Sequence, residues 1–237
     1  MTVDYSRYYS THFAHVANPS ASRRRLESIR ANYRRRLPTP RDAPILEVGP
    51  GSGEFLQFAV DECGYRCVEA VDLSGEVVER LAPRYPCVRQ IDDTTRFLAE
   101  HPRAFRAIVM LHVIEHIPKA GLIDLLAAAY GALAPEGTLI VEVPNMANPL
   151  VGLNFRYADF THETGFTDSS LRQVLRLAGF NSVTVDPFRI PGGSLTRHVQ
   201  RVLRGVMESL MSIATFLYFG HFENVAVNLI ATGTRTS

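Results

Sequence analysis

From residue 44 onward, short apolar runs alternate with amphipathic segments, a rhythm that predicts strand–helix units on a parallel sheet. Ile45-Leu46-Glu47-Val48 reads as a first strand, Glu54 to Cys63 as a helix, and Cys67 to Asp72 as a second strand. A helix over 76–81, a strand over 88–91 and a helix over 94–100 follow. Strand four is expected at 107–111 and a helix at 119–133, with a turn at Ala134-Pro135-Glu136-Gly137 before strand five at 139–143. Helix 166–178 is expected to be capped by Thr167 and stopped by Gly179, before a strand starting at 183. A last strand is expected at 225–232. Upstream, Leu26, Ile29 and Tyr33 form one apolar stripe on a helix opening near Ser22, ahead of Pro38 and Pro40. The expected fold is α/β, with helices on both faces of the sheet. An N-terminal helical lid or arm covers 1–40, and the main domain covers 41–237 with a helical insertion at about 190–223.

Composition narrows the class. The chain has 237 residues, 46% of them hydrophobic and 21% charged, with a formal net charge of +1, which favours a globular core over disorder. Three cysteines (Cys63, Cys67, Cys87) lack zinc-ribbon spacing, so no disulfide framework is expected. Seven arginines crowd 23–36, but basic charge is otherwise confined to 197–204, which argues against a nucleic-acid partner. Residues 1–16 hold no long apolar run, and the most apolar stretch, Leu210 to Phe219, is ten residues long. Neither a secretory signal nor a membrane span is expected, and the reading is cytoplasmic.

The chemistry begins at Glu47-Val48-Gly49-Pro50-Gly51-Ser52-Gly53, between a buried strand and a helix. The spacing is G-x-G-x-G, neither a dinucleotide fingerprint nor a P-loop. Glu47 is poorly placed for a pyrophosphate but suits a cationic amine or sulfonium. Asp72, nineteen residues past Gly53, ends strand two, where a carboxylate can accept both hydroxyls of a ribose.

These residues resemble class I S-adenosylmethionine-dependent methyltransferases over residues 44–186. The resemblance implies a Rossmann-like, mostly parallel seven-stranded sheet whose last strand is antiparallel. It assigns cofactor contacts to Glu47, Gly49, Gly51, Ser52, Gly53, Asp72 and Leu73. Asp92, in Ile91-Asp92-Asp93, is similar to the adenine-contacting acid. Leu111 and His112, in Met110-Leu111-His112-Val113-Ile114-Glu115-His116, resemble the segment closing the pocket, and Leu133 to Leu139 resembles the turn before strand five.

His112-Val113-Ile114-Glu115-His116 also matches the H-x-x-E-H of some zinc proteases, but it starts at a strand end, not on one helix face. It is similar to the E-x-x-E-H of ubiquinone-pathway and small-RNA 2′-hydroxyl methyltransferases, which bind a divalent cation, except that His112 replaces the first glutamate. A metal held by His112, Glu115, His116 and His162 is the alternative to the favoured reading, in which none is required.

The acceptor is expected beyond strands four and five, near 145–162. Asn154-Phe155-Arg156-Tyr157-Ala158-Asp159-Phe160-Thr161-His162-Glu163 is similar to a block in methyltransferases of glycan biosynthesis. A sugar hydroxyl is weakly acidic, so a general base helps. His162 is the first candidate, with Asp159 and Glu163 beside it to orient it, and His116 is the second. The expected function is O-methyl transfer to a sugar or glycan-containing acceptor, small-molecule or oligosaccharide. The alternatives are a phenolic, quinone or other small metabolite, or a non-catalytic cofactor-binding regulator. Leu195 to Phe219 mixes arginines with apolar residues and admits three roles: a lid, a homodimer interface, or peripheral contact with the inner membrane surface.

Overall fold

The computed structural model describes residue 10, residues 19–191 and residues 195–236. Seven strands form one sheet in the order β3-β2-β1-β4-β5-β7-β6. They are β1 (Ile45–Val48), β2 (Val68–Asp72), β3 (Val88–Gln90), β4 (Phe105–Leu111), β5 (Leu133–Pro144), β6 (Ser182–Pro187) and β7 (Asn228–Thr234). The pairs β1–β2, β1–β4, β2–β3 and β4–β5 are parallel, and β7 runs antiparallel to both β5 and β6. This is the expected seven-stranded sheet with its last strand reversed.

Buried side chains form a core on each face. On one face α4 (Thr94–Ala99), α5 (Lys119–Ala132) and α7 (Asp168–Leu177) bury Phe97, Leu126 and Leu171. On the other, α1 (Pro19–Tyr33), α2 (Glu54–Leu56, continuing as a wider helical turn through Glu62) and α3 (Gly75–Leu81) bury Ile29, Phe58 and Leu81. The chain order reverses between β1 and β4, so a crevice opens at their carboxyl ends, the usual ligand position in such sheets.

Local chemistry explains most boundaries. Thr167 caps α7 and shares a reciprocal capping box with Ser170. Helix α1 begins at Pro19, three residues before the expected cap, because proline suits a first turn; Ser22 instead donates to Glu54 Oε1 at 2.9 Å. The expected stripe of Leu26, Ile29 and Tyr33 is buried. Residues 134–137, expected as a turn, lie inside β5, where pairing with β4 jumps from Leu133 to Thr138.

Two helices differ from the sequence reading. Residues 152–158, expected as loop, form α6 (Gly152–Ala158), started by Asn148 Oδ1 accepting from the amides of Leu150 and Val151. The insertion contains α8 (Leu195–Phe219), a 25-residue helix, long and apolar enough by length and composition to cross a membrane. The ten-residue apolar run understated it, because the apolar positions continue at helical spacing through the arginine-bearing half.

Candidate active site

A cavity of about 480 Å³ opens at the carboxyl edge of β1, β2 and β4. It is lined by Glu47, Gly49, Gly51, Ser52, Asp72, Leu73, Leu111 and His112 of the expected cofactor set, together with His116, Asp159 and His162. Sequence reasoning missed Arg25 and Thr94, which also line it, as does Phe155 from the expected acceptor stretch.

The turn after β1 is shaped for close approach. Gly49 and Gly53 sit at φ +69° and +85°, where a Cβ would meet Val113 Cγ2 at 2.9 Å and Leu81 Cδ2 at 2.7 Å. Any side chain would therefore be strained and would crowd its neighbours. Gly53 itself forms the start of α2 and does not line the cavity.

Glu47 is 2% exposed, and its Oε2 has no hydrogen-bond partner among the described residues. Burial, with Glu54 and Asp72 nearby, pushes its carboxyl well above the usual range. A cationic ligand would reverse that penalty, so the site suits a sulfonium or ammonium group. Asp72 accepts the Ser74 amide at 2.8 Å. Burial nevertheless lifts it to about 6 against the opposing backbone bonds from Ser74 and Leu73. Ser74 Oγ is another buried atom without a partner among the described residues. Orphaned acceptors and a glycine cradle fit S-adenosylmethionine. Asp92 departs from expectation: its side chain is 91% exposed, pairs with Arg96 at 3.7 Å and stays outside the cavity. The short β3 ends at Gln90, and the turn after it sends this acid to solvent.

His112 follows β4 at φ +57°, an uncommon backbone for a non-glycine residue. Its Nδ1 and Nε2 each lie 3.0 Å from a carboxylate oxygen, of Glu115 and Glu142 respectively. Two carboxylate partners favour a ring that donates from both nitrogens, the imidazolium form. Burial opposes that charge, but Glu142 and the hydrogen bond to Glu115 outweigh it and lift His112 to about 9. His112 thus lines the cavity beside two carboxylates that favour its charged form, and the close group of ligand atoms comprises Glu115, His116 and His162 without it.

Glu142, on β5, is wholly buried and anchors this network. It receives two bonds from Arg25 (2.9 and 3.1 Å), one from Asn228 (2.7 Å) and a very short one from Tyr33. Burial alone would raise its pKa, but Arg25 and His112 hold the carboxyl far below the usual range. No sequence motif marks Glu142; a charged residue within the apolar run of strand five was the available signal.

His116 and His162 stand together, ring centroids 4.7 Å apart. His162 Nδ1 is 2.6 Å from the Phe155 carbonyl, which only accepts, so Nδ1 carries the proton and Nε2 the lone pair in the neutral ring. His116 Nδ1 is 2.8 Å from Thr161 Oγ1, which donates to Asp159 Oδ1 at 2.7 Å. Burial lowers the His116 pKa. Asp159 was expected to orient His162, yet its Oδ2 is 4.0 Å from Nε2, beyond hydrogen-bond reach, and it supports His116 through Thr161 instead. Glu163 is exposed and does not line the cavity. Asn145 and Asn148, in the expected acceptor stretch, are buried struts whose amides donate to the carbonyls of Asn224, Val225 and Ala226.

Ligand atoms of Glu115, His116 and His162 lie within 4.8 Å of one another, and Glu115 Oε2 is buried without a partner. These three would suit a divalent cation, which would acidify a hydroxyl bound to it.

Comparisons agree with this geometry. A family model described as a methyltransferase domain matches residues 21–185. No curated protein matches the chain. A S-adenosylmethionine-dependent methyltransferase from Archaeoglobus fulgidus is 22% identical, with a TM-score of 0.65 over 90% of this chain and 96% of that one. A methyltransferase complexed with the Trm112 activator of Haloferax volcanii gives a TM-score of 0.72 at 15% identity, covering 100% of both chains. A structure from Thermotoga maritima described as a possible histamine N-methyltransferase is 17% identical, with a TM-score of 0.64 over 98% of both chains. The matched model, the glycine turn and the paired acids lead to one conclusion: the chain belongs to the methyltransferase-domain family and is a S-adenosylmethionine-dependent methyltransferase.

Proposed function

We propose that this enzyme methylates a hydroxyl of a sugar or glycan-containing acceptor. The observation that carries the reading is His162, whose Nδ1 is held by the Phe155 carbonyl so that Nε2 is the basic nitrogen. An alcohol needs such a base, because its proton must leave as the oxygen attacks carbon. When bound, S-adenosylmethionine supplies a methyl group on positive sulfur. With the donor bound, His162 Nε2 would take the proton that the acceptor hydroxyl gives up as its oxygen accepts the methyl group. His116, second in line, is kept neutral by burial and aligned by Thr161. Positioning supplies most of the remaining rate, worth roughly 7–11 kcal/mol for aligned reactants.

A phenolic acceptor is the second reading, favoured by the apolar wall of Ile117, Pro144, Phe155 and Ala158. The test is incubation with labelled cofactor and parallel panels of glycans, sugar metabolites and catechols, followed by mass analysis. Methyl gain on a sugar supports the proposal, and gain confined to aromatic rings or amines overturns it.

A further inference from the structure

Two neighbouring residues of α6 hold His162. The Phe155 carbonyl accepts from its ring Nδ1 at 2.6 Å, and the Arg156 guanidinium reaches its main chain. Nη1 of Arg156 donates to the His162 carbonyl in a very short bond, and Nη2 donates to the Glu163 carbonyl at 3.3 Å. One planar fork thus spans two consecutive peptide groups, a task that suits arginine's rigid set of donors and not a lysine ammonium. The guanidinium lies 5.5 Å from the Tyr157 ring centroid, a cation–π contact that favours this placement.

The other sides of the same two peptide groups are bonded as well. The amides of Glu163 and Thr164 donate to the Glu115 carbonyl at 2.8 and 2.9 Å, and Thr164 Oγ1 donates to the Ile117 carbonyl at 3.0 Å. Peptide carbonyls and amides point in opposite directions, so residues 162–164 are clamped between α6 and the turn after β4. Bonds in such a chain polarise and strengthen one another. Without Arg156, water can satisfy two carbonyls at a partly exposed site, so the fold needs the fork less than the base does. A reacting group must be held to within about 0.5 Å, and a misplacement of about 1 Å can cost about a hundredfold in rate.

We propose that Arg156 is a positioning residue for the base: by bridging the His162 and Glu163 carbonyls, it keeps the His162 ring on the Phe155 carbonyl and the proton on Nδ1. This role rests on the reading of His162 as the base. The test is NMR of the full chain carrying isotope-labelled histidine, at mildly alkaline pH where ordinary imidazoles are neutral. The His162 signal is assigned by its loss in H162A. Wild type is expected to show the Nδ1–H tautomer and R156A a mixture of both tautomers. R156K, which keeps the charge and one donor, should fall between them and reads the same signal should R156A not fold. Calorimetry should give wild-type cofactor affinity in each variant. With labelled S-adenosylmethionine and a sugar that gains methyl in the acceptor panel, R156A should lower kcat roughly 10–100-fold at unchanged KM. In the H162A background it should add nothing. A pure Nδ1–H signal in the folded variants overturns the proposal, and so does an equal loss of turnover in H162A, because Arg156 would then act without the base. Wild-type turnover in H162A takes down the base reading and this role with it, whereas an unmoved tautomer beside an impaired H162A takes down this role alone.

Discussion

Arg25 and Glu142, 117 positions apart, are joined by two N–H···O bonds of 2.9 and 3.1 Å, with the carboxylate wholly buried. Helix α1 thereby supplies the main counter-charge for an anion inside the sheet while forming one wall of the cavity. Removing one partner of such a pair leaves an uncompensated charge and typically costs about 3–5 kcal/mol. Arg25→Met is therefore expected to destabilise by that amount in denaturant unfolding, and R25M/E142M to recover most of it. A single variant as stable as wild type would show that Tyr33, His112 and Asn228 suffice.

The same network sets a pH dependence. The depressed Glu142 pKa contributes stability above the unfolded value of about 4.3, lost as pH falls below it. His112, raised to about 9, contributes stability that is complete below about 6.5 and lost as pH rises through 9. Asp72, raised by burial, opposes the rise only between about 4 and 6. Thermal melts should show a decline between pH 6.5 and 9 that His112→Asn flattens.

Cofactor affinity should carry its own pH signature. The proposed ribose contact needs an ionised Asp72, which burial lifts to about 6 in the free enzyme. Binding is expected to weaken below that pH, approaching about tenfold per unit. Calorimetry across about pH 5–8 checks this, and Asp72→Asn should bind weakly with no slope.

His162→Ala is expected to lower turnover by about 10²–10⁴ with cofactor affinity near wild type. Glu163→Ala, at an exposed position, should do neither. Wild-type turnover in the His162 variant would remove that residue as the base.

Chelation separates base from metal. Exhaustive chelator treatment is expected to leave turnover unchanged, as a free imidazole base requires. A loss restored by manganese or zinc would assign His116, His162 and Glu115 to a cation.

The sheet was legible because apolar runs mark its strands, some of them closed by glycine or proline, as at Val48–Gly49 and Val143–Pro144. The cofactor residues were legible for the same reason: Glu47 and Asp72 are fixed by strand ends and need no distant partner. Glu142, Arg25 and Asn228 were not, because their chemistry exists only after segments far apart in sequence meet. The polarity of 145–163 carried two signals that the sequence could not separate. Asn145 and Asn148 are polar to satisfy backbone carbonyls, whereas Phe155, Asp159 and His162 line the cavity.

Asn228 opens the final strand and Tyr33 closes the first helix, yet both donate to the one Glu142 carboxylate. During synthesis that acid must therefore wait, partly satisfied, until residue 228 has emerged. The methyl-transfer chamber is thus assembled late, and a truncated product lacking its last strand would retain the glycine turn while its central anion missed a ligand.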